Sequence, residues 1–174
     1  MNDALRIRRT DAQADAGALA EVLLDCVQGG ASVSFMLPLS HAKALDFWTS
    51  VLAGAQRGER IVLVAEDAAG VIVGTVQLIL NLPENQPHRA DVAKMLVHRR
   101  ARRCSLGAAL IQAAESAARE AGRTLLVLDT VTGGDAERLY ARLGWQRVGV
   151  IPNYALWPGG GFCSTTVFYK DLSA

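Results

Sequence analysis

Cysteine is sparse and scattered in this 174-residue chain: Cys26, Cys104 and Cys163 are odd in number and form neither a C-x-x-C pair nor a Cys/His cluster. A disulfide framework and a structural zinc site are thereby excluded, and three reduced thiols are expected. His41, His88 and His98 are equally dispersed, so no metal is expected. Charge of one sign is also lacking. With 18 basic against 17 acidic residues the net charge is +1, which disfavours nucleic acid as a partner. Aromatic residues make up 6% of the chain and do not interleave with the basic ones, as a nucleic-acid surface would require. No apolar run approaches the ~18 residues of a membrane span, and the first residues carry no apolar leader. The expectation is a cytoplasmic protein with no membrane partner. Repeats, low-complexity blocks and long Pro/Gly linkers are missing too, so residues 1–174 are expected to form one domain.

What the chain does have is apolar material and clear punctuation. Hydrophobic residues make up 51% of it and charged residues 20%, which is enough to bury a core. Residues 5–9 alternate apolar with polar as a first strand would. Asp11 suits the cap of a helix that carries Ala18, Leu19, Val22, Leu23, Cys26 and Val27 at helical spacing until Gly29-Gly30 stops it. A second helix follows Ser40, with Leu45, Trp48, Val51 and Leu52 on one face, and ends near Gly58. Residues 61–65 and 71–78 predict a hairpin, and 90–97 a further strand. An Ala-rich helix follows over 106–121. The short apolar run 125–128 reads as a strand covered on both faces, and a helix over 135–143 ends at Gly144. Two last strands, 145–150 and 165–169, flank a Pro/Gly-rich loop from 152 to 161. The order β-α-α-β-β-β-α-β-α-β-β predicts an α/β (mixed α+β) fold, a central mixed sheet flanked by helices.

The segment 97–110 joins a strand to the start of the Ala-rich helix, a junction suited to an anion. Free main-chain N–H groups at a helix N-terminus attract phosphate oxygens, and small residues let the main chain come close. Ser105, Gly107, Ala108 and Ala109 are small, and Arg99, Arg100, Arg102 and Arg103 add positive charge. The same residues also suit an ordinary N-cap at Ser105 with four arginines in water. A Walker loop is excluded because no Gly-Lys-Ser/Thr follows, and the dinucleotide pattern G-x-G-x-x-G is absent.

Here the chain resembles the GCN5-related N-acetyltransferases, whose acetyl-CoA loop reads roughly V-x-P-x-x-R-G-x-G-x-G/A. Val97, Arg102 and Gly107 match it, while Arg99, Arg103 and Ser105 stand in place of the proline and the first two glycines. A second family element, A-x-x-L-Y-x-x-x-G-F/W, stands as Ala136, Leu139, Tyr140, Gly144 and Trp145. The element order is also the family's, so the resemblance covers nearly the whole chain. Residues 29–36, 89–97, 128–130 and 166–170 are similar to a toxin-resistance branch of the family. The resemblance implies acetyl-CoA as cosubstrate, a small-molecule amine as acceptor and a homodimer as the modest expectation from the fold. A polyamine, free amino acid or protein lysine acceptor, or a non-catalytic acyl-CoA-binding module, stays open beside that reading.

Acetyl transfer to an amine requires a neutral nucleophile, stabilisation of a developing oxyanion and a proton for the departing thiolate. The resemblance implies Asp91 and Asp129 as proton acceptors or holders of the ammonium, and Tyr140 as the acid. It places the acetyl carbonyl and the pantetheine arm along the main chain at Met95, Leu96 and Val97. The phosphates fall to Arg102, Arg103, Cys104, Ser105, Gly107 and Ala108. Phe35, Met36, Tyr154 and Trp157 are expected to wall the acceptor side.

Overall fold

The computed structural model describes residues 5–173; residues 1–4, on which the expectation about a leader falls, and residue 174 lie outside the described residues. Seven strands form one continuous sheet: β1 (Arg6–Thr10), β2 (Arg60–Glu66), β3 (Ile72–Ile79), β4 (Arg89–Val97), β5 (Leu125–Val131), β6 (Gln146–Leu156) and β7 (Phe162–Asp171). Their order across the sheet is β1-β2-β3-β4-β5-β7-β6, and among the described residues only β4 and β5 pair in parallel. The helices are α1 (Ala16–Gln28), α2 (His41–Gln56), α3 (Leu106–Glu120) and α4 (Asp135–Arg142). The mixed sheet and element order match the expectation from the sequence. Among the described residues, no helix is long and apolar enough to cross a membrane.

Two apolar layers lie on opposite faces of the sheet. On one, Leu110, Ile111, Ala114 and Ala118 of α3 pack with Leu63, Val76, Leu78, Ala90, Val92, Leu126, Leu128 and Phe168. On the other, Leu19, Leu23 and Val27 of α1 and Trp48 and Leu52 of α2 pack with Val62, Val64, Ile72 and Leu96. Strands β2 and β3 are covered on both sides and read as continuous apolar runs for that reason.

Three expectations shift and one holds. Asp11 does not cap α1: a 3-10 turn over Gln13–Asp15 intervenes, and the carboxylate of Asp15 accepts from Arg8 and Thr10 instead of capping. Ser40 does cap α2, its hydroxyl accepting from the Lys43 N–H at 3.2 Å. β5 is covered on one face only, because α1 packs on β3 and β4 and α2 on β2. The half-sheet β5-β7-β6 therefore keeps an open face. Finally, β6 runs on to Leu156 and β7 begins at Phe162, so the expected loop shrinks to 157–161. Pro152 sits inside β6, which an edge strand tolerates because no ladder donor is lost, beside a break in register between Ile151 and Ala155 with Asn153 at φ 52°.

Candidate functional site

The site arises where two parallel strands part. β4 and β5 pair only over Arg89–Leu125, Ala90–Leu126 and Asp91–Val127, and beyond that they diverge. A bulge contributes: Lys94 and Met95 stand opposite the single residue Val76 between the Ala93–Gln77 and Leu96–Thr75 pairs, with Lys94 at φ 50°. The inserted residue reverses the alternation, so that Ala90 and Val92 face α3 whereas Leu96, of the same parity, faces α1 and α2. The wedge is the mouth of a cavity of about 1260 Å³. Past Asp91, β4 has no strand partner on the β5 side, and its main-chain polar groups there are left for other partners.

On one side of the cavity lie Met95, Leu96 and Val97 of β4 and then Arg102, Arg103, Ser105, Gly107 and Ala108. Ser105 occupies the N-cap position of α3 in a left-handed conformation (φ 61°), and its side chain makes no cap hydrogen bond. The ordinary-cap reading is thereby overturned. Its carbonyl takes the Ala109 N–H at 3.1 Å, while among the described residues the N–H groups of Leu106, Gly107 and Ala108 have no main-chain or side-chain acceptor. Arg103 is also left-handed (φ 64°). The larger residues that replace the family's glycines thus adopt the glycine-like conformation themselves, at a cost on the order of 1–2 kcal/mol each. A left-handed residue next to helical ones makes successive N–H groups converge on one anion. At Gly107 a Cβ would come within 3.1 Å of the Leu139 side chain, so α3 sits close against α4. This donor set fits the diphosphate of a CoA thioester.

The arginine run divides. Arg99 is tied to the Asp25 carboxylate through its main-chain N–H (2.7 Å) and its Nε (2.9 Å). Arg100 pairs with Asp67 at 3.2 Å. Burial raises the carboxyl pKa of Asp25, but the two Arg99 hydrogen bonds and the charges of His98 and Arg99 outweigh it and hold that carboxyl below its usual range. These two arginines therefore anchor the loop to α1 and the β2–β3 turn, and only Arg102 and Arg103 line the cavity. Arg102 donates from Nε to the Val97 carbonyl at 3.1 Å. Cys104, expected with the phosphate residues, lies outside the lining: it is exposed, with Sγ 2.7 Å from the Ala101 carbonyl.

The opposite side is built from side chains. Phe35, Met36, Tyr154 and Trp157 all line the cavity. The two loops that carry them are joined, Ser32 Oγ donating to the Leu156 carbonyl (2.8 Å) and the Leu37 N–H to the Pro158 carbonyl (2.9 Å). Asp129 lines the cavity and accepts from Thr165 Oγ1 at 2.7 Å. Tyr140 is buried on α4, its ring 5.7 Å from that of Trp145 and 6.0 Å from that of Phe168. Burial, and secondarily the Asp129 carboxylate, push its phenol far above the usual tyrosine range. Asp91 is not brought to this group. It sits on the last paired row of β4 and β5, below the wedge, and its carboxylate pairs with the Arg89 guanidinium.

Lys94 also lines the cavity, and sequence reasoning gave it no role. Its signal was a charged residue inside the apolar run 92–97, where a regular alternation fails to hold. Among the described residues, no group of three or more His, Cys, Asp or Glu side chains could hold a metal ion.

A splayed parallel pair, unsatisfied helix N–H groups on one bank, and a carboxylate with a protonated phenol on the other define a transferase that handles a CoA thioester. The chain belongs to the acetyltransferase (GNAT) family, whose model matches residues 32–145, and it is an N-acetyltransferase dependent on acetyl-CoA. Solved structures share the fold over nearly the full length. The protein yncA of Salmonella typhimurium, solved with its cofactor acetyl-CoA, is 20% identical at a TM-score of 0.81, covering 98% of this chain and 95% of that one. A GCN5-related N-acetyltransferase from Kribbella flavida is 24% identical at 0.81, covering 99% and 100%. A ribosomal-protein-alanine N-acetyltransferase from Brucella melitensis is 23% identical at 0.79, covering 96% and 99%. At these identities the likeness is one of fold.

Proposed function

We propose that the chain transfers an acetyl group from acetyl-CoA to the primary amine of a small molecule, by direct attack within a ternary complex. The observation that carries this reading is the joined pair of loops on the acceptor side. Ser32–Leu156 and Leu37–Pro158 link the segment between α1 and α2 to the β6–β7 hairpin, which suits a small guest better than a protein segment. The resemblance of residues 29–36, 89–97, 128–130 and 166–170 to the tabtoxin resistance acetyltransferase supports a toxin, an antibiotic or another amino-acid-like compound as that guest.

Each residue then has a physical task. Acetyl-CoA supplies the activated acyl carbon. The free N–H groups of α3, with Arg102 and Arg103, hold its phosphates, and the main chain of β4 at Met95, Leu96 and Val97, on the side that β5 leaves, orients its arm and polarises the carbonyl. Asp129 accepts the proton that an alkyl ammonium must lose before its nitrogen can attack, directly or through a water. As nitrogen bonds to the acyl carbon and the C–S bond breaks, Tyr140 gives its phenol proton to the departing thiolate. Its raised pKa keeps the phenol protonated, so that the O–H is there to donate to the sulfur as negative charge develops on it. Cys104 lies outside the cavity lining, and direct attack by the amine needs no acyl-enzyme.

Initial rates of thiol release with acetyl-CoA and a panel of small amines test this. The expected result is turnover of at least one amine class, with Tyr140→Phe lowering kcat by about 10²-fold while KM for acetyl-CoA holds. Turnover of peptide N-termini or lysines to the exclusion of small amines would overturn the small-molecule reading.

A further inference from the structure

The acceptor side of the cavity contains an ammonium that no carboxylate neutralises. Lys94 Nζ donates to Ser34 Oγ at 3.0 Å and stands 5.8 Å from the centre of the Phe47 ring. Among the described residues it forms no salt bridge within 4.0 Å. An ammonium carries three N–H donors, so the Ser34 contact leaves two of them for the cavity. Lys94 and Asp129 line the same cavity; burial draws the Lys94 pKa below its usual range, and the charge of Asp129 acts the other way.

A lysine so placed is a poor choice for packing alone. A methionine would fill the space beside Phe47 without desolvating a charge, and one hydrogen bond to a neutral hydroxyl does not offset that desolvation. The bulge that gives Lys94 its left-handed backbone reinforces the point, since a strand in register would have carried the side chain elsewhere. The position therefore makes sense if a second negative charge arrives with the guest.

We propose that the acetyl acceptor is a zwitterion, an amine that also bears a carboxylate, and that Lys94 receives the carboxylate while Asp129 receives the amine. The inference rests on the small-molecule amine reading and narrows it: polyamines and simple alkylamines, which bring no anion to Lys94, are poor acceptors. Ser34 is the positioning residue that holds the ammonium toward the cavity, and the Phe47 ring face favours its cationic form.

The test uses the full chain with acetyl-CoA and three matched sets of acceptors: L-amino acids, their carboxamides and their decarboxylated amines. The expected outcome is a kcat/KM for the acids at least about tenfold above that of their matched amides and amines, the difference lying mainly in KM. Lys94→Met should bring the acids down to the level of the amides, Lys94→Arg should restore part of the preference, and acetyl-CoA affinity by calorimetry should be retained in both. Equal or better use of the amides and amines by the native protein would overturn the proposal while leaving the amine reading intact. So would a Lys94→Met protein that loses acetyl-CoA binding, since that assigns Lys94 to the framework. If protein that binds acetyl-CoA consumes none of the three sets, the amine reading itself fails, and the zwitterion falls with it.

Discussion

The two banks of the cavity are made of different material. The donor bank is nearly continuous in sequence, from Met95 to Ala108, and its chemistry is that of the main chain: the free edge of β4 and the first N–H groups of α3. The acceptor bank gathers Phe35 and Met36, Lys94, Asp129, Tyr154 and Trp157, and Thr165 from segments far apart in the chain, and its chemistry is that of individual side chains. The contrast explains how the family's loop glycines can be replaced by Arg103 and Ser105. A site built on N–H groups tolerates side-chain change as long as the backbone keeps its path. On the other bank each contact depends on one side chain.

The largest effect is expected where the banks are fastened together. Glu115 of α3, almost fully buried, accepts from Trp145 Nε1 (3.0 Å) and from Lys170 Nζ of β7 at both carboxylate oxygens (2.8 Å each), and Lys170 also donates to the Leu143 carbonyl (2.8 Å). Glu115→Ala leaves the Lys170 charge and the Trp145 N–H without that partner, and a loss of about 3–5 kcal/mol in unfolding free energy is expected in urea titrations. Replacing both partners, Glu115→Met with Lys170→Met, should recover most of it, because an apolar pair of similar volume leaves no orphaned charge. A single variant with native stability would show that the two banks hold together without this cluster.

Asp129 and Asp91 sharpen the comparison within one element pair. Both were candidate proton acceptors, yet one opens on the cavity and the other is held by Arg89 below the wedge. Asp129→Asn should lower kcat by about 10²-fold or more, the usual scale for loss of a general base. Asp91→Asn removes only a partly exposed ion pair, and a change below about threefold is expected. Steady-state rates on one acceptor decide it. If Asp91→Asn were as damaging as Asp129→Asn, the acceptor bank would extend further down the strands than the cavity does.

The same contrast governs what the sequence could reveal. Periodicity located α2, α3 and the β2–β3 hairpin because each element's apolar pattern is local, and the spacing of Ala136, Leu139, Tyr140, Gly144 and Trp145 was legible within ten residues. The loop between β4 and α3 was legible as a strand-to-helix junction for that reason too, and Arg102, Ser105 and Gly107 of it line the cavity. What stayed hidden depends on partners distant in the chain. Arg99 and Arg100 look like phosphate ligands until Asp25 and Asp67 are found beside them. Lys94 looks like a strand charge until the bulge opposite Val76 shifts its face. The extension of β6 through Pro152 depends on its being an edge strand, which is a property of the sheet and not of residues 151–156.

The smallest effects are expected in the donor loop, where the proposed phosphate donors are main-chain N–H groups. Arg103 and Ser105 hold left-handed conformations that cost an L-residue roughly 1–2 kcal/mol, and glycine removes that cost while losing about 0.5–1 kcal/mol more chain entropy on folding. Each of Arg103→Gly and Ser105→Gly should therefore stabilise the free protein by about 0.5–1 kcal/mol in thermal unfolding. Ser105→Ala separates the two readings of the loop. An N-cap hydroxyl is worth about 1 kcal/mol, but this one makes no cap bond, so a change within about 0.5 kcal/mol is expected. Loss of the full cap value would mean that Ser105 Oγ satisfies α3 itself. The N–H groups of Leu106 to Ala108 would then be shared between the helix's own cap and the phosphates, and the donor bank would depend on a side chain after all.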